Sequence, residues 1–168
     1  MNSILSIHTI RFIALVFVQV LILNHINFLG YINPYIYIVF IALFPVKNNR
    51  IVLILLSFLI GITIDMFLDT GGIHAGACVF TAYARPLILK SSFGMMYEHQ
   101  TIKFNSVEFG SKLIYFTLLI VLHHIVLFSL EIFSISKILL ILQKTLFSSI
   151  FTILLSVVVT IIFSRKTK

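Results

Sequence analysis

The residues best suited to chemistry lie between Gly61 and Gly76, at the end of a long apolar segment. This stretch contains two carboxylates, Asp65 and Asp69, and one imidazole, His74. A carboxylate inside a membrane is costly unless it is paired or faces water, so an intramembrane Asp marks a candidate functional site. Two acids could serve general acid–base catalysis or a proton relay, and a His–carboxylate pair would respond to pH.

The same stretch also has a structural interpretation. Asp65 and Asp69 are four residues apart, so on a helix they share one face with Gly61, but no nucleophile is spaced to join them. Asp65 would then cap a neighbouring helix or a broken segment, and Asp69 would lie at the membrane interface. Gly72 and Gly76 form a GxxxG pattern, which favours close contact between membrane helices. The spacing favours this structural hinge over an active site.

Histidine and cysteine add no metal or redox motif. His123 and His124 are adjacent, so on a regular helix they point about 100° apart and at most one of them is expected to face the bundle. Cys78 stands alone in an apolar run, as expected of a small buried hydrophobe. Metalloprotease, P-loop, Rossmann and CxxC patterns are missing from the sequence. We therefore predict no catalytic, cofactor-binding or metal-binding residue and no enzymatic activity.

Two cations could act inside or near the membrane. Arg85, followed by Pro86, is predicted to reach headgroup phosphates or an acidic partner at the inner end of a span, and Pro86 to kink that span. Lys144 is expected to extend its ammonium group toward the outer surface.

The composition indicates that these groups are carried by membrane helices. Of 168 residues, 60% are hydrophobic and only 10% charged, with mean hydropathy +1.16, whereas a soluble domain carries about 25% charged residues. This predicts an integral membrane protein with roughly six helices of about 20 residues in one domain. The start of the chain lacks the pattern of a cleavable signal, so we expect a retained first helix. The net charge of +7 is attributed to topology and anionic headgroups rather than to nucleic acid.

The apolar segments predict an all-α fold with six transmembrane spans. The second is short and bounded by Pro34 and Pro45, so it must be extended by the preceding loop or shielded by neighbours. With the N-terminus in the cytoplasm, ten Lys and Arg residues fall on the inner side against two on the outer side, as the positive-inside rule requires. Both termini are then cytoplasmic, and an inner segment, Lys90–Lys112, is either an interfacial amphipathic piece or an ordinary connector. The predicted spans are about 11–29, 35–46, 51–68, 73–89, 113–130 and 138–163.

An ordered set of short motifs resembles the MreD family, the small membrane subunit of the bacterial rod-shape machinery. Each motif is weak alone, and together they extend from the first span to the end of the fourth. They are Asn33-Pro34 with Tyr35, Pro45, Gly61-x3-Asp65, Gly72-x3-Gly76 and Arg85-Pro86.

The resemblance implies a non-catalytic, multi-pass subunit of the elongasome in the bacterial inner (plasma) membrane. Such a subunit would scaffold an MreC-like bitopic membrane protein and, through it, MreB filaments, RodA and a penicillin-binding protein, regulating cell shape during peptidoglycan synthesis of the lateral wall. The family fold is similar to the substrate-binding subunits of energy-coupling-factor transporters. A substrate-binding membrane subunit of a vitamin-type transporter is therefore the alternative, and an intramembrane enzyme ranks third. The scarcity of polar groups within the spans counts against the transporter.

Overall fold

The structure is a computed structural model that describes residues 2–26, 32–46, 49–94 and 107–164. The described residues form helices joined by short connections, which confirms the predicted all-α class. A 3₁₀ turn, Leu23–His25, follows the first helix, and another, Ile135–Lys137, precedes the last. The α-helices are α1 Asn2–Leu21, α2 Ile38–Leu43, α3 Arg50–Leu68, α4 Ile73–Phe93, α5 Phe109–Ile132 and α6 Ile138–Ser164.

Three helical segments have the length and the apolar composition needed to cross a membrane: Arg50–Leu68, Phe109–Ile132 and Ile135–Ile161. A shorter apolar helix covers Thr9–His25. Large hydrophobic side chains such as Phe58 and Leu154 are exposed on the outer faces of these helices, where hydrocarbon rather than water is the favourable neighbour. The chain is therefore a helical membrane protein.

The helices pack in chain order around a short central element. Helices α3 and α4 form a hairpin, α4 packs on α5, α5 packs on α6, and α1 packs on α3. Helix α2 contacts α1, α4 and α5, and Ile38, Ile41 and Ala42 within it are completely buried. The core of the protein therefore lies around α2.

The second predicted span, 35–46, contains only this short helix. Six residues of α-helix extend about 9 Å, far less than the ~30 Å hydrocarbon core. Residues Tyr35 to Tyr37, which precede α2, are not α-helical and are buried. Non-helical backbone is tolerated at membrane depth only where protein covers it, and the surrounding helices provide that cover. Most of the Lys90–Lys112 segment, residues 95–106, lies outside the described residues.

Candidate functional site

Asp65 caps the neighbouring helix α4. Its Oδ2 accepts a hydrogen bond from the backbone N–H of Ala75 at 2.8 Å, and its Oδ1 accepts one from the N–H of His74 at 3.0 Å. The Thr70 hydroxyl also donates to Oδ1. The N-cap residue of α4, Gly72, has no side chain for this task, so the carboxylate from α3 satisfies N–H groups that the helix leaves unpaired. Asp65, with 4% of its surface exposed, thereby joins α3 to α4.

Gly61 is the point of closest approach between α3 and α4. A Cβ atom at this position would lie 2.5 Å from Cα of Ala75, far inside the ~3.5–4.0 Å separation of carbon atoms in contact. At Gly76, a Cβ would meet only Cδ1 of Leu130, at 3.2 Å. The GxxxG pattern therefore does not make the closest contact. Gly61 lies opposite backbone atoms, whereas Gly76 lies opposite the end of a flexible side chain.

The turn from α3 to α4 uses left-handed backbone conformations. Asp69 is the C-cap of α3 with φ 54°, Gly71 has φ 64° and Gly72 has φ 97°. Glycine adopts such angles without the steric cost of a Cβ. Asp69 is exposed at this turn while Asp65 is buried. The two acids therefore have different surroundings, because Asp65 lies within α3 and Asp69 lies at its C-cap.

His74 does not pair with either aspartate through its ring. Its Nδ1 atom lies 2.7 Å from the Tyr37 hydroxyl oxygen, and that oxygen lies 2.9 Å from Nε2 of His123. Nδ1 of His123 is in turn 3.2 Å from Oγ1 of Thr81, which donates to the carbonyl of Ala77 at 2.7 Å. A continuous hydrogen-bonded chain thus links α4, the residue before α2, and α5.

The donors in this chain can be assigned because each hydroxyl has one proton. Thr81 donates to Ala77, so Nδ1–H of His123 must donate to Thr81. Nε2 of a neutral His123 then accepts from the Tyr37 hydroxyl, and Tyr37 must accept from Nδ1–H of His74. We therefore assign the Nδ1–H tautomer to His74 and His123, with every hydrogen bond of the chain satisfied.

His124 forms a second buried contact on the other side of α5. Its Nδ1 lies 2.7 Å from the Ile120 carbonyl, so it must donate, and its Nε2 lies 3.4 Å from Oγ1 of Thr152 on α6. Oγ1 of Thr152 accepts from the backbone N–H of Tyr35 at 3.0 Å. The expectation that at most one of His123 and His124 faces the bundle is wrong, since both have 0% exposure. Helix α5 packs against α4 and α6, so directions about 100° apart both meet protein.

Arg85 caps the end of α2 rather than reaching the membrane surface. Its Nη2 donates to the carbonyl oxygens of Phe44 and, at 3.2 Å, Ala42, and its Nε donates to the Tyr115 hydroxyl at 2.8 Å. Tyr115 itself donates to the Ala42 carbonyl at 3.0 Å. Arg85 has 3% exposure, so the predicted contact with headgroup phosphates or an acidic partner is wrong. A cation at a helix C-terminus is favoured by the helix dipole. Helix α4 continues through Pro86 to its end.

Gln19 of α1 holds the chain that leads into α2. Its Oε1 accepts from the N–H of Ile36 at 2.8 Å, and its Nε2 donates to the Pro34 carbonyl at 3.1 Å and to Oδ1 of Asn24 at 2.9 Å. Pro45 follows α2, whose C-cap Phe44 is extended. Side chains of other helices therefore form hydrogen bonds to the backbone on both sides of α2.

The remaining candidates do not assemble into a reactive centre. Lys144 forms an ion pair with Glu131 at 2.8 Å, so its charge is paired within the protein. Cys78 is a buried free thiol. Among the residues that the structure describes, no group of three His, Cys, Asp or Glu side chains could hold a metal ion.

The prediction that Asp65 caps a neighbouring helix is confirmed. The sequence also singled out Gly61 and Arg85, but it did not predict the contacts of Arg85 with α2. Tyr37 and Thr81, which complete the histidine chain, were not predicted. An isolated hydroxyl in an apolar segment gives no signal of its own, because its partners lie on other helices. Comparison with protein-family profiles, with characterised proteins and with solved structures gave no match for this chain.

Proposed function

We propose that the chain is a non-catalytic, six-span scaffold of the bacterial rod-shape complex, acting in the plasma membrane beside an MreC-like bitopic protein. The observation that carries the proposal is the use of the buried polar groups. Asp65, Arg85 and Gln19 direct their side chains to backbone groups of neighbouring helices. Such groups stabilise a helix bundle, which is the role expected of a scaffold. The motifs that resemble the MreD family are the reason for assigning the scaffold to the rod-shape complex.

The proposed topology places both termini in the cytoplasm. Helix α2 and the buried residues before it would form the second crossing, shielded by the other helices. The turn at Asp69–Gly72 and the connection at 133–137 would lie outside the cell. Ten basic residues on the inner side against two on the outer side support this orientation.

The lateral surface of α3 and α4 is the proposed contact for the single helix of the MreC-like partner. Met66 and Phe67 on α3 and Leu87 on α4 are large, apolar and at least 64% exposed. Their positions depend on the α3–α4 hairpin, which Gly61 and Asp65 hold together. A membrane helix binds another through such packing rather than through a hydrophobic driving force.

Co-purification with the MreC-like partner tests this proposal. We expect Asp65→Lys to lose the partner while still inserting, because a cation cannot cap the N-terminus of α4. Asp69→Lys is the matched control, since Asp69 is exposed at the turn, and it should retain the partner. A Met66→Ala/Phe67→Ala variant keeps the hairpin contacts and should weaken capture without loss of thermal stability.

Two results would contradict the scaffold proposal. One is a wild-type protein that never co-purifies with an MreC-like partner. The other is normal partner capture and normal rod shape of cells that carry Asp65→Lys as their only copy.

A transport subunit is the second candidate, and one observation favours it. Five buried hydroxyl groups on α3 and α6 have no hydrogen-bond partner: Ser57, Thr145, Ser148, Ser149 and Ser156. A polar ligand lying along α6 could satisfy the four hydroxyl groups of that helix, although small residues also let membrane helices pack closely. Retention of a vitamin-sized molecule by the purified protein would favour this candidate over the scaffold.

A further inference from the structure

An apolar cleft lies between the end of α5 and the start of α6. Its volume is about 510 Å³. The connection between the two helices closes one end of the cleft through Ser134 and Ile135. The helical part of the lining is Ile125, Ser129 and Phe133 at the α5 side and Ile138, Ile141 and Leu142 on α6.

The lining residues follow the helix axes. Ile125, Ser129 and Phe133 are four residues apart and lie along one side of α5 and its C-cap. From Ile125 to Phe133 the rise is about 12 Å, close to the ~15 Å of one bilayer leaflet. The cleft therefore runs along the direction in which lipid chains lie, from the connection toward the middle of the membrane.

The size of the cleft is compatible with lipid chains. A volume of 510 Å³ over about 12 Å corresponds to a mean cross-section of about 40 Å². An alkyl chain, whose carbons approach neighbours to about 4.5 Å, needs about 16 Å². The cleft therefore has room for two alkyl chains.

A cation lies in the connection that closes one end of the cleft. Lys137 is exposed in the 3₁₀ turn between the lining residues Ile135 and Ile138. The nearby Lys144 is paired with Glu131, so its charge is already compensated. Lys137 therefore supplies the positive charge that an anionic phosphate at this level of the membrane would meet.

We propose that this cleft is a binding site for an anionic diacyl phospholipid of the outer leaflet, with its two acyl chains between α5 and α6 and its phosphate at Lys137. The leaflet rests on the orientation given under Proposed function; the site itself rests on the cleft and the lysine. Phe133 and Ile135, with 87% and 91% exposure, would cover the upper parts of the chains.

Native mass spectrometry of the purified full-length protein tests the site. The probes are dipalmitoyl phosphatidylglycerol and dipalmitoyl phosphatidylcholine, which share their chains and differ in net charge. We expect wild type to retain phosphatidylglycerol about fivefold better, the ratio expected for one lysine beside an anionic phosphate. Lys137→Gln should reduce phosphatidylglycerol to the level of phosphatidylcholine. An unchanged preference in Lys137→Gln would overturn the headgroup assignment.

A second pair of variants tests the chain-binding part. Ser129→Phe fills the cleft and should release both lipids, whereas Ser91→Phe, at an exposed serine near the end of α4, should leave both bound. Equal lipid retention by Ser129→Phe and wild type would overturn the site.

Cross-linking identifies other occupants of the cleft. Because the native Cys78 is buried, Ser134→Cys introduces an accessible thiol at the end of the cleft. A disulfide-linked dimer in native membranes would assign the cleft to a second copy of the chain and overturn the lipid proposal.

These tests are independent of the scaffold proposal. They use the protein alone, so a failure to capture an MreC-like partner leaves the lipid result unaffected. Conversely, a protein that captures its partner but shows no lipid selectivity would overturn only the lipid site.

Discussion

Replacing Gly61 with alanine is the sharpest test of how α3 and α4 are joined. The added Cβ would lie 2.5 Å from Cα of Ala75, and 2.7 Å from both the nitrogen of Ala75 and the carbonyl oxygen of His74. All three are backbone atoms, so no side chain can rotate away. Reaching a normal carbon–carbon distance of about 3.5–4.0 Å requires the helices to separate by about 1–1.5 Å.

That separation removes the Asp65 cap. Asp65 lies one helical turn from Gly61, and its bonds to the N–H groups of His74 and Ala75 are 3.0 and 2.8 Å long. An added 1 Å takes both beyond hydrogen-bonding distance. Hydrogen bonds to a charged group contribute about 1.5–3 kcal/mol each. Alanine regains about 1 kcal/mol of helix propensity over glycine, so the net loss in free energy of unfolding is about 2–5 kcal/mol.

Gly76→Ala is the matched control, because it makes the same substitution in the facing helix. Its Cβ would meet only the flexible end of Leu130 at 3.2 Å, and the propensity gain offsets that adjustment. We expect its free energy of unfolding to stay within about 1 kcal/mol of wild type. Unfolding of the purified proteins by dodecyl sulfate in mixed micelles measures both values. Equal stability of Gly61→Ala and Gly76→Ala would show that the close approach at Gly61 does not hold α3 and α4 together.

Three further predictions concern the buried polar groups. Arg85→Lys should lower the free energy of unfolding by about 2–4 kcal/mol, because an ammonium cannot reproduce the fork of donors to α2; unchanged stability in dodecyl sulfate unfolding would contradict the capping role. Asp65→Asn should cost about 1–3 kcal/mol, since an amide nitrogen cannot accept from a backbone N–H. The opposite finding, equal melting temperatures of the variant and wild type, would exclude a two-oxygen cap. His74, His123 and His124 should all be neutral Nδ1–H tautomers, which ¹⁵N NMR of histidine-labelled protein measures; Nε2–H signals from His123 would break the assigned chain of donors.

The class of the protein could be predicted from its sequence because it depends on composition. Long apolar segments leave hydrocarbon as the favourable surroundings, and backbone hydrogen bonding then requires helices. The turn at Asp69–Gly72 was predictable for a similar reason, since glycines after a long apolar run permit the left-handed conformations that the turn adopts. Such features depend on neighbours in the chain.

Apart from the Asp65 cap on α4, the partners of the buried polar groups could not be predicted in this way. His123 and His124 point in different directions on any helix, and only the packing of α4 and α6 on two sides of α5 buries both. The position of Arg85 near the end of a predicted span indicates a residue at the membrane surface, yet in the structure it lies beside the end of α2. Contacts between distant segments depend on which helix faces meet, and no local pattern specifies that.

Local composition is enough to predict that this chain is helical, that it belongs in a membrane and where its main turn lies. Only the tertiary structure shows that Arg85 and Gln19 hold the short, buried α2. It also decided that Gly61, rather than the GxxxG pair, sets the distance between α3 and α4. The physical reason is common to both: a buried polar group or a missing Cβ acquires its role only from the atoms that the fold places opposite it.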